Sequence, residues 1–288
     1  MIFLSILILI VAIALPSLKQ QLSSLMVTRI SAIIFIYAGA LSFNGLYIQS
    51  IGSGIGIYSG LFHVTVISQF LDGILFMLGA FILMAWPLIR GTYYNKVVSL
   101  NSLLSDVSSP NNAQPLQGVQ SASKNTSFNL IGLYTPRTEY CLIVLFSALG
   151  SSLLISSSDL LSMYLSIELQ SFGLYILATL YRDYESATAS GLKYFLLGAL
   201  SSCFILLGAG LIYTFTGLTN FDSIYSLISV SYTGPNKIMS GVSLGVMFIF
   251  IGFLFKIAAA PFHSWSTNKW PSYISIDSAE LIHSIIIV

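Results

Sequence analysis

The chain has 288 residues, of which 56% are hydrophobic and only 7% charged, with a formal net charge of +1. Soluble domains carry about 25% charged residues, so this chain cannot cover a water-facing surface, and its near-neutral balance gives no electrostatic footprint for nucleic acid. The apolar stretches are continuous and roughly 20 residues long, which excludes the alternating pattern of a membrane barrel. The expected fold is all-α: a polytopic transmembrane helix bundle of about seven spans, with the lipid bilayer as its solvent.

The first span is read at 1–18. It is apolar from Met1 and ends near Pro16. A secretory signal would open on basic residues and a mitochondrial transit peptide would be rich in arginine; neither feature is present, so the segment is read as a short first helix. The next spans fall at 27–48 and 69–90. Asp72, near the start of the third, is expected to reach the membrane interface. Residues 99–138 form a polar loop rich in Ser, Asn, Gln and Pro, with no apolar period. It separates a three-helix segment, 1–98, from four further spans at 139–157, 159–181, 187–216 and 238–262.

The loops carry an orientation signal. Lys19, Arg29, Arg90, Lys96, Lys124, Arg137, Arg182 and Lys269 fall on one side of this arrangement, and Lys237 alone on the other. Excess lysine and arginine marks the inner side. The N-terminus is therefore expected to face away from the matrix or cytoplasm, and the 99–138 loop to lie on the matrix or cytoplasmic side. Cys141 and Cys203 both lie in apolar runs and read as packing residues rather than a disulfide. Small residues at Gly241 and Gly245 and at Ser147 and Ser151 have the spacing of close helix crossings, a pattern also common by chance.

Three spans contain a charge that an apolar helix does not explain. Glu168 lies nine residues into the fifth span, about 13 Å along its axis. Lys193 follows two turns into the sixth, where it either snorkels to the headgroups or faces the bundle. Lys256 is the sole charge between Gly241 and Ala260. A charge at membrane depth costs about 2.5–3.5 kcal/mol on insertion scales, and such residues commonly mark ion paths. Pro261 removes a helical hydrogen bond just beyond Lys256, so the seventh helix is expected to be discontinuous between about Ala258 and His263. His263 either titrates on the path, as histidines do near neutral pH, or simply ends the helix at the interface. The short loop between the fifth and sixth spans makes them antiparallel neighbours, which predicts that Glu168 and Lys193 face each other. His63, Tyr93, Tyr94 and Trp265 fit an aromatic belt. No metal cluster, phosphate loop or nucleophile triad is present, so no cofactor or redox centre is expected on this chain.

The run from Phe255 to Trp265 resembles the FKxxxxPFHxW motif of the antiporter-like membrane subunits. Glu168 and Lys193 match that family's two preceding motifs in order and spacing. The resemblance is to the chain 2 group of fungal-type mitochondrial NADH:ubiquinone oxidoreductase, respiratory complex I, and covers about residues 1–265. It implies a multi-pass, proton-translocating subunit of the mitochondrial inner membrane, with about fourteen helices in two inverted repeats. It implies that Glu168, Lys193, Lys256 and His263 pass protons, with residues 139–265 the first part of one repeat. The implied partners are the other membrane subunits of complex I. NADH, flavin, iron–sulfur clusters and ubiquinone are used by the complex, none of them bound here. From Ser266 the sequence diverges from the family pattern, and 266–288 is read as a divergent tail of a chain truncated after the seventh helix. The alternatives are a subunit of a stand-alone cation/proton antiporter and a non-pumping membrane fragment.

Overall fold

In the computed structural model the described residues are 1–14, 24–48, 54–84, 138–180, 185–231, 237–257 and 259. Among them are eight helices: α1 (Ile2–Ala14), α2 (Ser24–Gly45), α3 (Val66–Met84), α4 (Thr138–Ser156), α5 (Leu160–Ala178), α6 (Glu185–Thr216), α7 (Phe221–Ser231) and α8 (Lys237–Lys256). Six of them, all but α1 and α7, are long and apolar enough to cross a membrane. α1 covers 13 residues, about 20 Å of helix against a hydrocarbon core of about 30 Å. The chain is thus an integral membrane helix bundle. The polar loop up to residue 137 and the tail at 266–288 lie outside the described residues.

The burial pattern inverts that of a soluble protein. Ile33, Phe81, Leu192 and Phe250 lie on the outside, where lipid is the solvent. Ser31, Ser147, Ser151 and Ser201 are buried instead. Each hydroxyl donates to a carbonyl one turn back, as Ser31 does to Thr28 at 2.8 Å and Ser201 to Gly198 at 2.6 Å. These four donors are thus satisfied within their own helices. Cys141 is buried as expected, but Cys203 faces outward, and both are free thiols.

Small residues set the helix crossings. A Cβ on Gly208 would lie 2.5 Å from the Gly245 carbonyl oxygen, and one on Gly245 would lie 2.8 Å from that of Gly208. The backbones of α6 and α8 therefore touch there. Gly150 of α4 abuts the backbone of Gln170 on α5, and Gly173 abuts Ser147. The small-residue pairs legible in the sequence are thus real crossing points, with Gly245 meeting α6 and Ser147 meeting α5. Gly208→Val should destabilise the protein by about 1–3 kcal/mol through overpacking, read as a lower midpoint of thermal unfolding in detergent; an unchanged midpoint would show that the crossing relaxes freely.

Two features depart from a purely helical reading. β1 (Ile55–Ile57) and β2 (Phe62–Val64) form an antiparallel hairpin pairing Ile55 with Val64. It docks on the turn between α4 and α5, where Ser158 N–H donates to the Leu61 carbonyl at 3.1 Å and the Ser162 hydroxyl does so at 2.8 Å. Asp159 caps α5 by accepting from Leu161 N–H at 2.9 Å, and its second oxygen accepts from the Thr219 hydroxyl at 2.8 Å. Leu160 N–H donates to Thr219, and Phe221 N–H to Ser158. The hairpin, the α4–α5 turn and the start of α7 thus gather at one end of the bundle. That grouping is the one the alternation of spans requires, since each connection follows an even-numbered span.

Candidate proton-transfer site

α5 carries Glu168 and Ser171 one turn apart, so both project from the same face. α8 brings Lys256, its last residue, against that face. The Lys256 ammonium donates to the Ser171 hydroxyl at 2.6 Å and lies 3.5 Å from Glu168 Oε1. The second distance is that of an ion pair, too long for a strong hydrogen bond. Accordingly Glu168 Oε1 is buried with no hydrogen-bond partner. The two side chains are only 19% and 15% exposed, so water screens the pair weakly.

The pairing expected between Glu168 and Lys193 is not the one found. Lys193 is exposed on the outer face of α6, between the outward-facing Leu192 and Phe195. α5 and α6 do pack together, but Lys193 is turned away from their seam. Glu168 meets the lysine of α8 instead. Asp72 is 7% exposed and buried within the bundle.

α8 ends its regular hydrogen bonding at Lys256. Ile257 N–H still reaches Phe253 at 2.9 Å, but Ala259 N–H reaches Leu254 at 3.0 Å, an i to i−5 closure wider than an α-turn. The loosening begins just C-terminal to the lysine. Pro261 and His263 lie outside the described residues.

A cavity of ≈ 100 Å³ opens beside Lys256, lined among others by Gln170, Ser171, Tyr175, Tyr194 and Ser201. A water needs only about 10–15 Å³ of such space, so several fit. Tyr175 packs edge-on against Tyr194 with ring centroids 5.0 Å apart. Sequence reasoning missed these polar groups. The one available signal was the three-residue spacing of Glu168 and Ser171, which puts a hydroxyl beside any charge that Glu168 attracts. The site can hold a proton on Lys256 between a hydroxyl and a carboxylate, in contact with space for water. Ser171→Ala should weaken the hold on the ammonium by about 1.5–3 kcal/mol, the range for a hydrogen bond to a charged group. The loss should be smaller in a Lys256→Met background; equal losses in both would show that Ser171 does not act through the lysine.

A buried acid–base pair in an apolar helix bundle, beside a helix that loosens at the lysine, defines a membrane protein with an interior site able to hold a proton. Residues 157–271 match the family model described as NADH:quinone oxidoreductase/Mrp antiporter, transmembrane. It is 45% identical over 94% of its length to NADH-ubiquinone oxidoreductase chain 2 of Rhizopus oryzae, covering 46% of that protein. Over 46% of its length it is 43% identical to NADH-quinone oxidoreductase subunit N of Paramagnetospirillum magneticum, covering 28% of that protein. The chain spans about half the length, or less, of the curated relatives it matches. Its fold is shared with a chain of respiratory complex I from Thermus thermophilus, with a TM-score of 0.60, 23% identity, and 100% of this chain and 51% of that one covered. It is also shared with a chain of the Mrp complex from Dietzia, with a TM-score of 0.58, 16% identity, and 92% and 41% covered.

Proposed function

We propose that the chain serves as a core membrane subunit of proton-pumping NADH:ubiquinone oxidoreductase in the mitochondrial inner membrane, in the place of chain 2. In this reading Glu168 and Lys256 are part of a proton path coupled to quinone reduction elsewhere in the complex. The observation that carries it is the Lys256 ammonium held between Ser171 and Glu168 beside a cavity inside an apolar bundle. A proton leaving Lys256 would leave the Glu168 carboxylate without its cation. Lys193, on the outward face of α6, and His263 are further proton-carrying positions of the proposal. The other membrane subunits are its partners, and NADH, flavin, iron–sulfur clusters and ubiquinone are supplied by the rest of the complex.

The likeness to the Mrp complex from Dietzia supports a second reading, a subunit of a cation/proton antiporter. The identity to chain 2 over nearly the whole chain favours the first. Affinity purification of the tagged chain from its native membranes separates them. Co-purification with NADH:ubiquinone reductase activity is expected. A tagged assembly that lacks NADH oxidation and exchanges sodium for protons would establish the antiporter instead.

A further inference from the structure

A second buried acid lies apart from the Glu168–Lys256 pair. Asp72 is on α3, about 9 Å in from the start of that helix. It is 7% exposed, and its Oδ1 is buried without a hydrogen-bond partner among the described residues. It faces a cavity of ≈ 350 Å³, lined by Ile2 of α1, Ser42 of α2, Gln69 of α3 and Ser152 of α4, among others. The Ser152 hydroxyl of α4 lines the same space. The volume holds several waters, and the polar groups around it are of the kind that bind them.

The charges around Asp72 decide what it binds. α1 carries no ionisable side chain but reaches the cavity with Met1, Ile2 and Phe3; the charged group that shares the cavity is the Met1 α-ammonium, on a residue 67% exposed. The ionisable side chains of α2 and α4 are Arg29, Tyr37, Glu139, Tyr140 and Cys141, and none of them lines the cavity. On α3 and the hairpin before it, His63 does not line it either. Asp72 is far more buried than Met1, and a carboxylate so buried is disfavoured unless a cation is held against it, whereas a neutral carboxyl is readily accommodated.

We propose that Asp72 is a proton-exchange site of its own, taking up a proton from water in the cavity between α1, α2, α3 and α4 and releasing it to the same water. α4 is the shared wall: Ser152 and Leu153 line the Asp72 cavity, and Leu154 lines that of Lys256. The site does not rest on the function proposed for Glu168 and Lys256. The reacting species is a proton: the carboxyl O–H bond forms as an O–H bond of hydronium in the cavity water breaks, and release is the reverse.

Dicyclohexylcarbodiimide, which adds to protonated carboxyl groups in apolar surroundings, provides the test. The chain is labelled in its native membrane assembly at a series of pH values, with and without sodium, and the adducts are located by peptide mass spectrometry. The expected result is an adduct on Asp72 that fades as pH rises, is unaffected by sodium, and exceeds any adduct on the ion-paired Glu168. The adduct should be lost in Asp72→Asn, but the decisive readout is on the unaltered chain, so a folding failure of the variant does not blur it. Absence of label on Asp72 at every pH overturns the proposal. Protection by sodium overturns it too, since it would make Asp72 a cation site.

Discussion

Lys256→Met in the full-length assembled complex is expected to lower coupled proton translocation by about 10²-fold, the lower end of what a positioned proton-transfer group contributes. Methionine keeps the length and most of the apolar contact of lysine, so packing beside Phe253 and Phe255 changes little. What disappears is the ammonium that donates to Ser171 and faces Glu168. Electron entry from NADH to artificial acceptors should be unchanged, because the proposed role places every redox centre on other subunits. Lys256→Arg is the control: it keeps a charge but holds its proton far more firmly than lysine. A relay by protonation change therefore fails in both variants, whereas a fixed charge that only shapes the cavity survives in arginine. Translocation at wild-type level in the methionine variant would make the lysine structural. The measurement is acidification by reconstituted complex driven by NADH, run beside acceptor reduction on the same preparation.

Most of the scaffold was legible because lipid simplifies the code. A run of some 20 apolar residues must be a helix, since no other single segment satisfies its backbone in hydrocarbon. Glu168 and Lys256 were legible for the same reason, as lone charges in such runs. Their pairing was not. A soluble helix shows which way it faces through its polar stripe, but α5, α6 and α8 are apolar nearly all round. The rotation of Lys193 about α6 is therefore invisible in the sequence. A short connecting loop puts α6 beside α5 without saying which residues of α6 look inward. The glycines were the better guide: Gly208, Gly245 and Gly252 mark the buried stripe between α6 and α8, and Lys193 lies off that stripe. The burial of Asp72 was not legible, because its distance from a helix start does not say which neighbouring helices cover it. α7 and the hairpin were missed because runs of 11 and 3 residues are too short to stand out among apolar segments.

The coupling between Glu168 and Lys256 should show as a large departure from additivity. Removing one member of a buried pair leaves the other charge without compensation, which typically costs about 3–5 kcal/mol. The pair is partly reached by solvent, at 19% and 15% exposure, so the lower end of that range applies. Glu168→Gln alone should therefore destabilise the protein more than its near-isosteric size suggests, because Lys256 keeps only the Ser171 hydroxyl. Lys256→Met alone should do the same through Glu168, whose Oε1 has no hydrogen-bond donor to fall back on. The double variant removes both charges together, and a buried ion pair replaced by neutral groups is often no less stable than the original. Its unfolding midpoint should thus return toward wild type and exceed that of either single variant, although proton translocation stays lost. Separate recovery of stability and function is what distinguishes a proton-carrying pair from a structural salt bridge, for which both would return together. Additive losses in the double variant would show that the 3.5 Å approach carries no interaction energy, and Glu168 would then need a different partner.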